Sequence, residues 1–247
     1  QPNNAEQLFL YGELLMEAGE VQSGIDAFLR AIQSDAEKAS PAGEFVAKYA
    51  QKAADGNDLD QAELLYRAAV NLAPSDHWHK VKLGELLEKQ GRDTEAESLY
   101  CSVLLAAPES PYTAERVDAL FTQRNDTAGR IGFWRELYKQ HPNAAVPSLH
   151  LGKACYDHKE YAETEKILAT AVTDYPDNQD IQFYLGAARF WLGKDEEGVR
   201  LMEEAAAKAP ALAEPAAAVY SKRAASLLEN GDYSLEEKYC RLAIALA

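Results

Sequence analysis

Prolines recur at a fixed interval through most of the chain. Pro74, Pro108, Pro142, Pro176 and Pro210 lie 34 residues apart, and Gly84, Gly152 and Gly186 keep the same phase. A period of this length is the signature of a repeat architecture, in which each unit buries its apolar face against its neighbours. The 247 residues are therefore expected to form a series of stacked repeats rather than compact globular domains.

Each period contains two amphipathic stretches separated by a short polar turn. In the third period, Leu83, Leu86 and Leu87 precede Gly91, and Leu99 follows it. Spacings of three and four place apolar residues on one helix face, and two such helices joined by a turn form an αα-hairpin. We predict an all-α fold of seven hairpins, at approximately residues 4–38, 41–74, 75–108, 109–142, 143–176, 177–210 and 211–247.

Two connections are longer than the others. Gly12 to Ala50 and Gly186 to Ala224 are each 38 residues apart instead of 34. Four residues make about one helical turn, so we expect the insertions to lengthen a helix without interrupting the stack.

Small and bulky residues alternate in phase with the period. Small residues stand in the first helices at Gly12, Ala50, Gly84, Gly152, Gly186 and Ala224 and in the second helices at Gly24, Ala62, Ala96 and Gly198, and bulky residues follow at Phe28, Tyr66, Tyr100, Trp134, Leu168 and Met202. With the closing prolines, this pattern resembles the tetratricopeptide repeat over nearly the whole chain. The resemblance implies a single α-solenoid over residues 1–247, a right-handed superhelix whose first helices line a concave groove that binds proteins.

The fourth repeat departs from the pattern. Asp118 and Arg130 occupy its two small positions, which are expected to touch each other. Their opposite charges predict a partly buried ion pair in place of the usual contact between small residues.

The charge balance narrows the class of partner. The chain has 25 Lys and Arg against 40 Asp and Glu, a net charge of −15. This excess of negative charge disfavours nucleic acid and anionic membrane surfaces, and it favours basic or neutral protein partners. No apolar run approaches the roughly 18 residues of a membrane span, so we expect no membrane insertion.

The common catalytic and metal-binding motifs are missing from the sequence. It contains no glycine-rich phosphate loop, nucleophile elbow, HExxH or paired CxxC. His77 and His79 are two residues apart and so point to different helix faces, and Cys101, Cys155 and Cys240 fit no metal or redox spacing. We therefore expect no catalytic activity and no bound cofactor or metal. We expect the three thiols to be reduced and buried. These thiols favour a reducing compartment such as the cytoplasm, although the start at Gln1 leads us to expect that an upstream segment was removed.

The phase of the repeat predicts which residues line the groove. The candidates for partner binding are Trp78, Glu85, Leu149, Lys153, Tyr156, Asp157, Phe183, Phe190 and Trp191. For Phe183 and Phe190 a place in the core remains an equal alternative, whereas Tyr156 and Trp191 are expected to be exposed at helix ends. A carboxylate clamp of the kind known in the family is not expected, because the corresponding positions carry Phe9, Glu13, Ala47, Gln51, Val81 and Glu85.

Two other roles remain open. The chain is alternatively a recognition arm of a larger enzyme, or a scaffold that self-assembles through the ends of the solenoid, because neither end has an obvious polar capping helix.

Overall fold

The computed structural model describes residues 2–230 and 233–246, which are helical almost throughout. The helices are α1 (Pro2–Glu17), α2 (Val21–Ser34), α3 (Ala39–Asp55), α4 (Leu59–Leu72), α5 (His77–Lys89), α6 (Asp93–Ala106), α7 (Pro111–Gln123), α8 (Thr127–Gln140), α9 (Ala145–Asp157), α10 (Tyr161–Asp174), α11 (Gln179–Trp191), α12 (Asp195–Lys208), α13 (Ala213–Asn230) and α14 (Tyr233–Leu246). The predicted all-α class is confirmed. Among these helices, none is long and apolar enough to cross a membrane.

The chain divides into two compact units. Unit 1 comprises residues 1–107 and 112–120, and unit 2 comprises residues 108–111 and 121–247. Unit 1 contains the hairpins α1–α2, α3–α4 and α5–α6, and unit 2 contains α9–α10, α11–α12 and α13–α14, with α8 packed on α9. These hairpins fall in the predicted repeats. The boundary between the units lies within α7, and the expectation of one domain over residues 1–247 stays a prediction.

The small first-helix residues allow the two helices of a hairpin to approach closely. A Cβ atom placed on Gly84 would lie 2.6 Å from Cε1 of Tyr100, and one on Gly152 would lie 2.7 Å from Cδ2 of Leu168. Real Cβ atoms do not approach other atoms this closely, so a larger residue at either position would require its neighbour to shift. The predicted pairing of a small residue with a bulky one is therefore confirmed in both units.

The hairpin turns share one backbone feature. A residue with φ between 54° and 85° occupies the same place in six turns, namely Gly19, Asn57, Gly91, Asn125, Lys159 and Gly193. In the second repeat the neighbouring Gly56 has φ −77°, and the left-handed residue is Asn57. Lys159 is unusual because Gly and Asn adopt this region readily, whereas a lysine is strained there. The turn of the seventh repeat, at residues 231–232, lies outside the described residues.

The two longer connections lengthen first helices, as expected. Short 3-10 helices at Ala36–Lys38 and Pro210–Leu212 lead directly into α3 and α13. These two helices have 17 and 18 residues, whereas α5, α9 and α11 have 13.

The two charged residues of the fourth repeat are both buried. Asp118 is 5% exposed and Arg130 is 9% exposed. The guanidinium of Arg130 donates a hydrogen bond to Oδ2 of Asp157 at 2.6 Å. The pairing of Asp118 with Arg130 itself stays a prediction.

Candidate functional site

A groove between two first helices of unit 1 has a volume of about 630 Å³. Its lining comes from α3 and α5, namely Glu44, Ala47, Lys48, Gln51, Asp76, Trp78, His79 and Lys82, and we call it the Trp78 groove. Trp78 stands in the first turn of α5, where the side chain of Asp76 accepts a hydrogen bond from its backbone N–H at 2.9 Å. The indole is 50% exposed, so it offers a large apolar surface at the edge of the groove.

Polar contacts hold the walls of the Trp78 groove. Gln51 accepts a hydrogen bond from the hydroxyl of Tyr66 at 2.9 Å. Lys82 forms an ion pair with Glu85 at 2.8 Å, and its Nζ lies 5.4 Å from the centre of the Trp78 ring. This cation–π distance shows that the face of the indole accepts a positive charge.

His79 forms the buried floor beside the Trp78 groove. Its side chain is fully buried, and a Cβ on Gly43 would lie 2.8 Å from its Nε2, so a larger residue at position 43 would displace the ring. Burial lowers the pKa of His79, although Asp76 at 3.5 Å partly opposes this effect. The ring is therefore neutral at pH 7. From the sequence, His77 and His79 were expected only to point to different helix faces.

Unit 2 has a cluster of four aromatic residues on its first-helix side. Tyr156, Tyr161, Tyr184 and Trp191, which we call the aromatic cluster, have neighbouring ring centres within 5.7 Å of one another. Tyr161 stacks on Trp191 with an interplanar angle of 11°. All four side chains are partly buried. The aromatic cluster therefore packs α9, α10 and α11 together and also presents some surface to solvent.

Two cations lie on the aromatic cluster. Nζ of Lys153 is 5.9 Å from the ring centre of Tyr184, and the guanidinium carbon of Arg223 is 5.7 Å from that of Trp191. Burial raises the pKa of Tyr156 to about 12, which keeps its hydroxyl protonated. Burial also raises the pKa of Tyr184, and the nearby carboxylate of Asp157 adds to this effect.

Two of the predicted groove residues, Phe183 and Phe190, take their alternative place in the core, and Leu149, which was predicted to line the groove, is buried as well. Phe190 is fully buried, Phe183 is 3% exposed and Leu149 is 9% exposed. The Phe190 ring packs edge-on against Tyr220 and Tyr239, because α13 and α14 cover that side of α11. Their side chains expose little surface to a partner.

The remaining predicted groove residues fall into two groups. Trp78 and Glu85 lie on α5 of unit 1. Lys153, Tyr156, Asp157 and Trp191 lie on α9 and α11 of unit 2, where Tyr156 and Trp191 are only partly exposed. Their role in partner binding stays a prediction.

His150 is a buried histidine of unit 2. It is 2% exposed and stacks on Trp134 with ring centres 4.6 Å apart. This contact depends on how α8 packs against α9, so the spacing of residues within one repeat does not reveal it.

A thiol and two carboxylates converge in unit 2. The ligand atoms of Cys155, Glu160 and Glu163 lie within 4.8 Å of one another. Burial raises the pKa of the Cys155 thiol to about 12, and Arg135 already pairs with Glu163 at 3.1 Å. A protonated thiol beside a guanidinium is a poor metal ligand. Cys101 and Cys240 are only half-buried, which corrects the expectation that all three thiols lie in the core.

Comparison with known proteins supports the repeat assignment. Residues 49–111 match the tetratricopeptide repeat family. No curated protein shows significant sequence similarity to the chain. The C-terminal part of a TPR repeat-containing protein from Cytophaga hutchinsonii is similar in structure, with a TM-score of 0.55, 13% identity and coverage of 96% of this chain and 95% of that one.

A second solved structure with the same fold is yeast Tom70. Its TM-score is 0.52 at 16% identity, and the alignment covers 81% of this chain and 42% of Tom70. At these identities the likeness concerns the fold alone. Together with the family match over residues 49–111 and the six in-phase hairpins, it shows that the chain has the tetratricopeptide repeat fold.

Proposed function

We propose that this protein is a non-catalytic interaction scaffold that holds an extended segment or a helix of a partner protein on its first-helix side. Tetratricopeptide repeats form a fold of protein–protein interaction scaffolds, and the specific surface is our inference. The observation that supports it is the Trp78 groove, where a 50% exposed indole borders a cavity of about 630 Å³.

The chemistry of the Trp78 groove fits a peptide better than a small metabolite. Exposed Trp residues are typical anchors of protein interfaces, because they bury a large apolar area when the partner binds. Gln51, Lys48 and Glu44 surround the apolar surface with groups that hydrogen-bond to a peptide backbone or side chains.

Display of random peptides tests this proposal. We expect the wild-type protein to enrich a set of related peptides and the Trp78→Ala variant to lose them. Tyr11→Ala is the matched control, since Tyr11 is 53% exposed on α1 but does not line the groove. Equal enrichment by Trp78→Ala and wild type would show that the groove is not the binding surface.

Self-assembly is a second candidate with its own observation. Tyr11 and Leu14 on α1 are 53% and 62% exposed, and Ile244 on α14 is 76% exposed. At the positions equivalent to Tyr11 and Leu14, Leu83 and Leu86 are buried. Light scattering over a range of concentrations tests this role, and a constant monomer mass would exclude it.

A further inference from the structure

Arg223 in α13 occupies a position that is apolar in the other repeats. This position immediately precedes the small-residue position of each first helix, and elsewhere it carries Tyr11, Tyr49, Leu83, Val117, Leu151 and Leu185. The valine and the three leucines are at most 2% exposed. An arginine at this position gives up the apolar burial that a leucine would provide. Packing within the repeat therefore does not explain why the residue is charged.

The guanidinium of Arg223 has a packing partner but no anion. Its central carbon lies 5.7 Å from the ring centre of Trp191, which is a cation–π distance. Its Nε is buried and has no hydrogen-bond acceptor. Within residues 2–230 and 233–246, no carboxylate forms an ion pair with Arg223, and no acceptor is bonded to its Nη nitrogens. A half-buried arginine without a carboxylate is unexpected in a chain with 40 acidic and 25 basic residues.

The charges around the aromatic cluster do not neutralise Arg223. In the described part of the chain, the charged groups that act on these rings are three cations, Lys153, Arg130 and Arg223, and two carboxylates, Asp157 and Asp180. Asp157 already accepts a hydrogen bond from Arg130 at 2.6 Å. The aromatic cluster therefore has one cation more than it has carboxylates, although the whole chain has a net charge of −15.

Trp191 supports the guanidinium from below. Its indole stacks on Tyr161 and donates a hydrogen bond to the hydroxyl of Tyr156 at 3.1 Å. Because Arg223 rests on a ring that is itself fixed, little side-chain freedom remains to be lost when an anion binds. Hydrogen bonds from arginine to a carboxylate are charge-assisted and strong, and Trp, Tyr and Arg are enriched at the hot spots of interfaces.

We propose that Arg223 and the aromatic cluster bind a partner segment in which an Asp or Glu side chain stands beside an apolar residue. The carboxylate accepts hydrogen bonds from the Nη nitrogens of Arg223, and the apolar residue packs against the accessible part of Trp191 and Tyr156. The inference deepens the proposed function, because it gives the scaffold a second contact surface of stated chemistry. It does not use the Trp78 groove.

Three fluorescent peptides of equal length test the ligand class. Each has the core Leu-Xaa-Leu-Xaa-Leu between Gly-Ser flanks and an amidated C-terminus, and Xaa is Glu, Gln or Lys. We expect the Glu peptide to bind about tenfold more tightly than the Gln peptide in fluorescence anisotropy, and the Lys peptide to bind most weakly. The net charge of −15 acts against this order, so a preference for Glu reports a local effect.

A fourth peptide separates the two sources of a carboxylate. It has the Gln core and a free C-terminus. We expect it to bind no more than about twofold better than the amidated Gln peptide, since the site takes a carboxylate that is flanked by apolar residues. Tight binding of this peptide alone would overturn the proposal in favour of a site for chain termini.

Variants of Arg223 separate binding from stability. Arg223→Leu restores the residue type of three other repeats, so it should fold with unchanged or higher stability and reduce the preference for Glu over Gln at least about fivefold. Arg223→Gln keeps a long polar side chain and should reduce the preference equally. Arg30→Leu is the matched control, because Arg30 is exposed on α2 and, among the described residues, has no ion pair. It removes the same charge and should leave the preference within about twofold.

The outcomes distinguish this inference from the proposed function. If Arg223→Gln keeps the full preference for Glu, or if Arg30→Leu loses as much of it, Arg223 is not the anion site and the inference is overturned. If Trp78→Ala abolishes binding of the Glu peptide while Arg223→Gln does not, the peptide occupies the Trp78 groove, which contradicts the inference but supports the proposed function. If none of the peptides binds, the inference is contradicted, whereas the proposed function is still decided by the peptide display.

Discussion

The indole Nε1 of Trp191 donates a hydrogen bond to the hydroxyl of Tyr156 at 3.1 Å. This bond links the C-terminal turns of α9 and α11, which belong to successive hairpins of unit 2. Tyr161 stacks on the other side of the indole. Trp191 therefore contributes to packing between hairpins, in contrast to the more exposed Trp78 of unit 1.

Two substitutions of Trp191 should separate the contribution of its hydrogen bond to stability from the contribution of its ring packing. We expect Trp191→Phe to lower the free energy of unfolding by about 1 kcal/mol, because the Tyr156 hydroxyl loses its donor. Trp191→Ala should cost about 3 kcal/mol, since the stacking on Tyr161 is also lost. Chemical denaturation measures both values. Trp78→Phe is the control and should change stability by less than about 0.5 kcal/mol.

Gly84 should not tolerate a methyl group. Gly84→Ala places a Cβ 2.6 Å from the ring of the fully buried Tyr100, which has no room to move, so we expect a loss of about 1–3 kcal/mol. Gly132→Ala on α8 is the matched control, because nothing lies within 4 Å of its Cβ position. The control should be neutral or stabilising by up to about 1 kcal/mol. Equal melting temperatures for the two variants would contradict the close approach of α5 and α6.

Lys159 offers a stabilising substitution. Its φ of 64° is strained for a residue with a Cβ, so Lys159→Gly should raise the free energy of unfolding by about 0.5–1 kcal/mol. Lys166→Gly, at an exposed position inside α10, should lower it by about 1 kcal/mol. A destabilised Lys159→Gly protein would show that the turn does not adopt this conformation.

Glu63 should stabilise unit 1 in a pH-dependent manner. Its carboxylate accepts hydrogen bonds from Arg92 at 2.6 Å and Arg67 at 2.8 Å, and these contacts lower its pKa to about 2. A lowered pKa in the folded state means that the stabilisation is present above pH 4.5 and is lost as the pH falls toward 2. Glu63→Gln should cost about 1–2 kcal/mol at pH 7, discounted for partial exposure. The difference from wild type in urea denaturation should vanish near pH 2.

Buried tyrosines should make the protein sensitive to alkali. Burial raises the pKa of Tyr66 and Tyr156 from 10 to about 12. Because the folded-state pKa is raised, the stabilisation is fully present below pH 10 and is lost as the pH rises through 12. Thermal unfolding across this range should show a shallower fall in stability for Tyr66→Phe than for wild type. An identical slope would show that the Tyr66 hydroxyl is accessible to water in the folded state.

The repeat period alone predicted the hairpins and their internal contacts. Gly84 and Tyr100 are 16 residues apart within one hairpin, so their contact follows from helix geometry and a short turn. The lengthened α3 and α13 followed equally from the four inserted residues. These features depend on residues close together in the sequence, and the same pattern occurs in successive repeats.

Exposure along the first helices could not be predicted in the same way. Phe190 was predicted to lie either in the groove or in the core, and Trp78 was predicted to lie in the groove. Phe190 is fully buried under α13 and α14, whereas Trp78 is half exposed. The burial of His79 and His150 likewise depends on residues of neighbouring helices that the periodic pattern does not specify.

By itself, the sequence determined the all-α class, the hairpin unit and the residues that hold each hairpin together, since these depend on spacing within about one repeat. Only the tertiary structure decided which first-helix side chains remain accessible. The accessibility of a side chain depends on which neighbouring helices cover it. Phe190 is covered and lies in the core, whereas Trp78 lies beside an open groove.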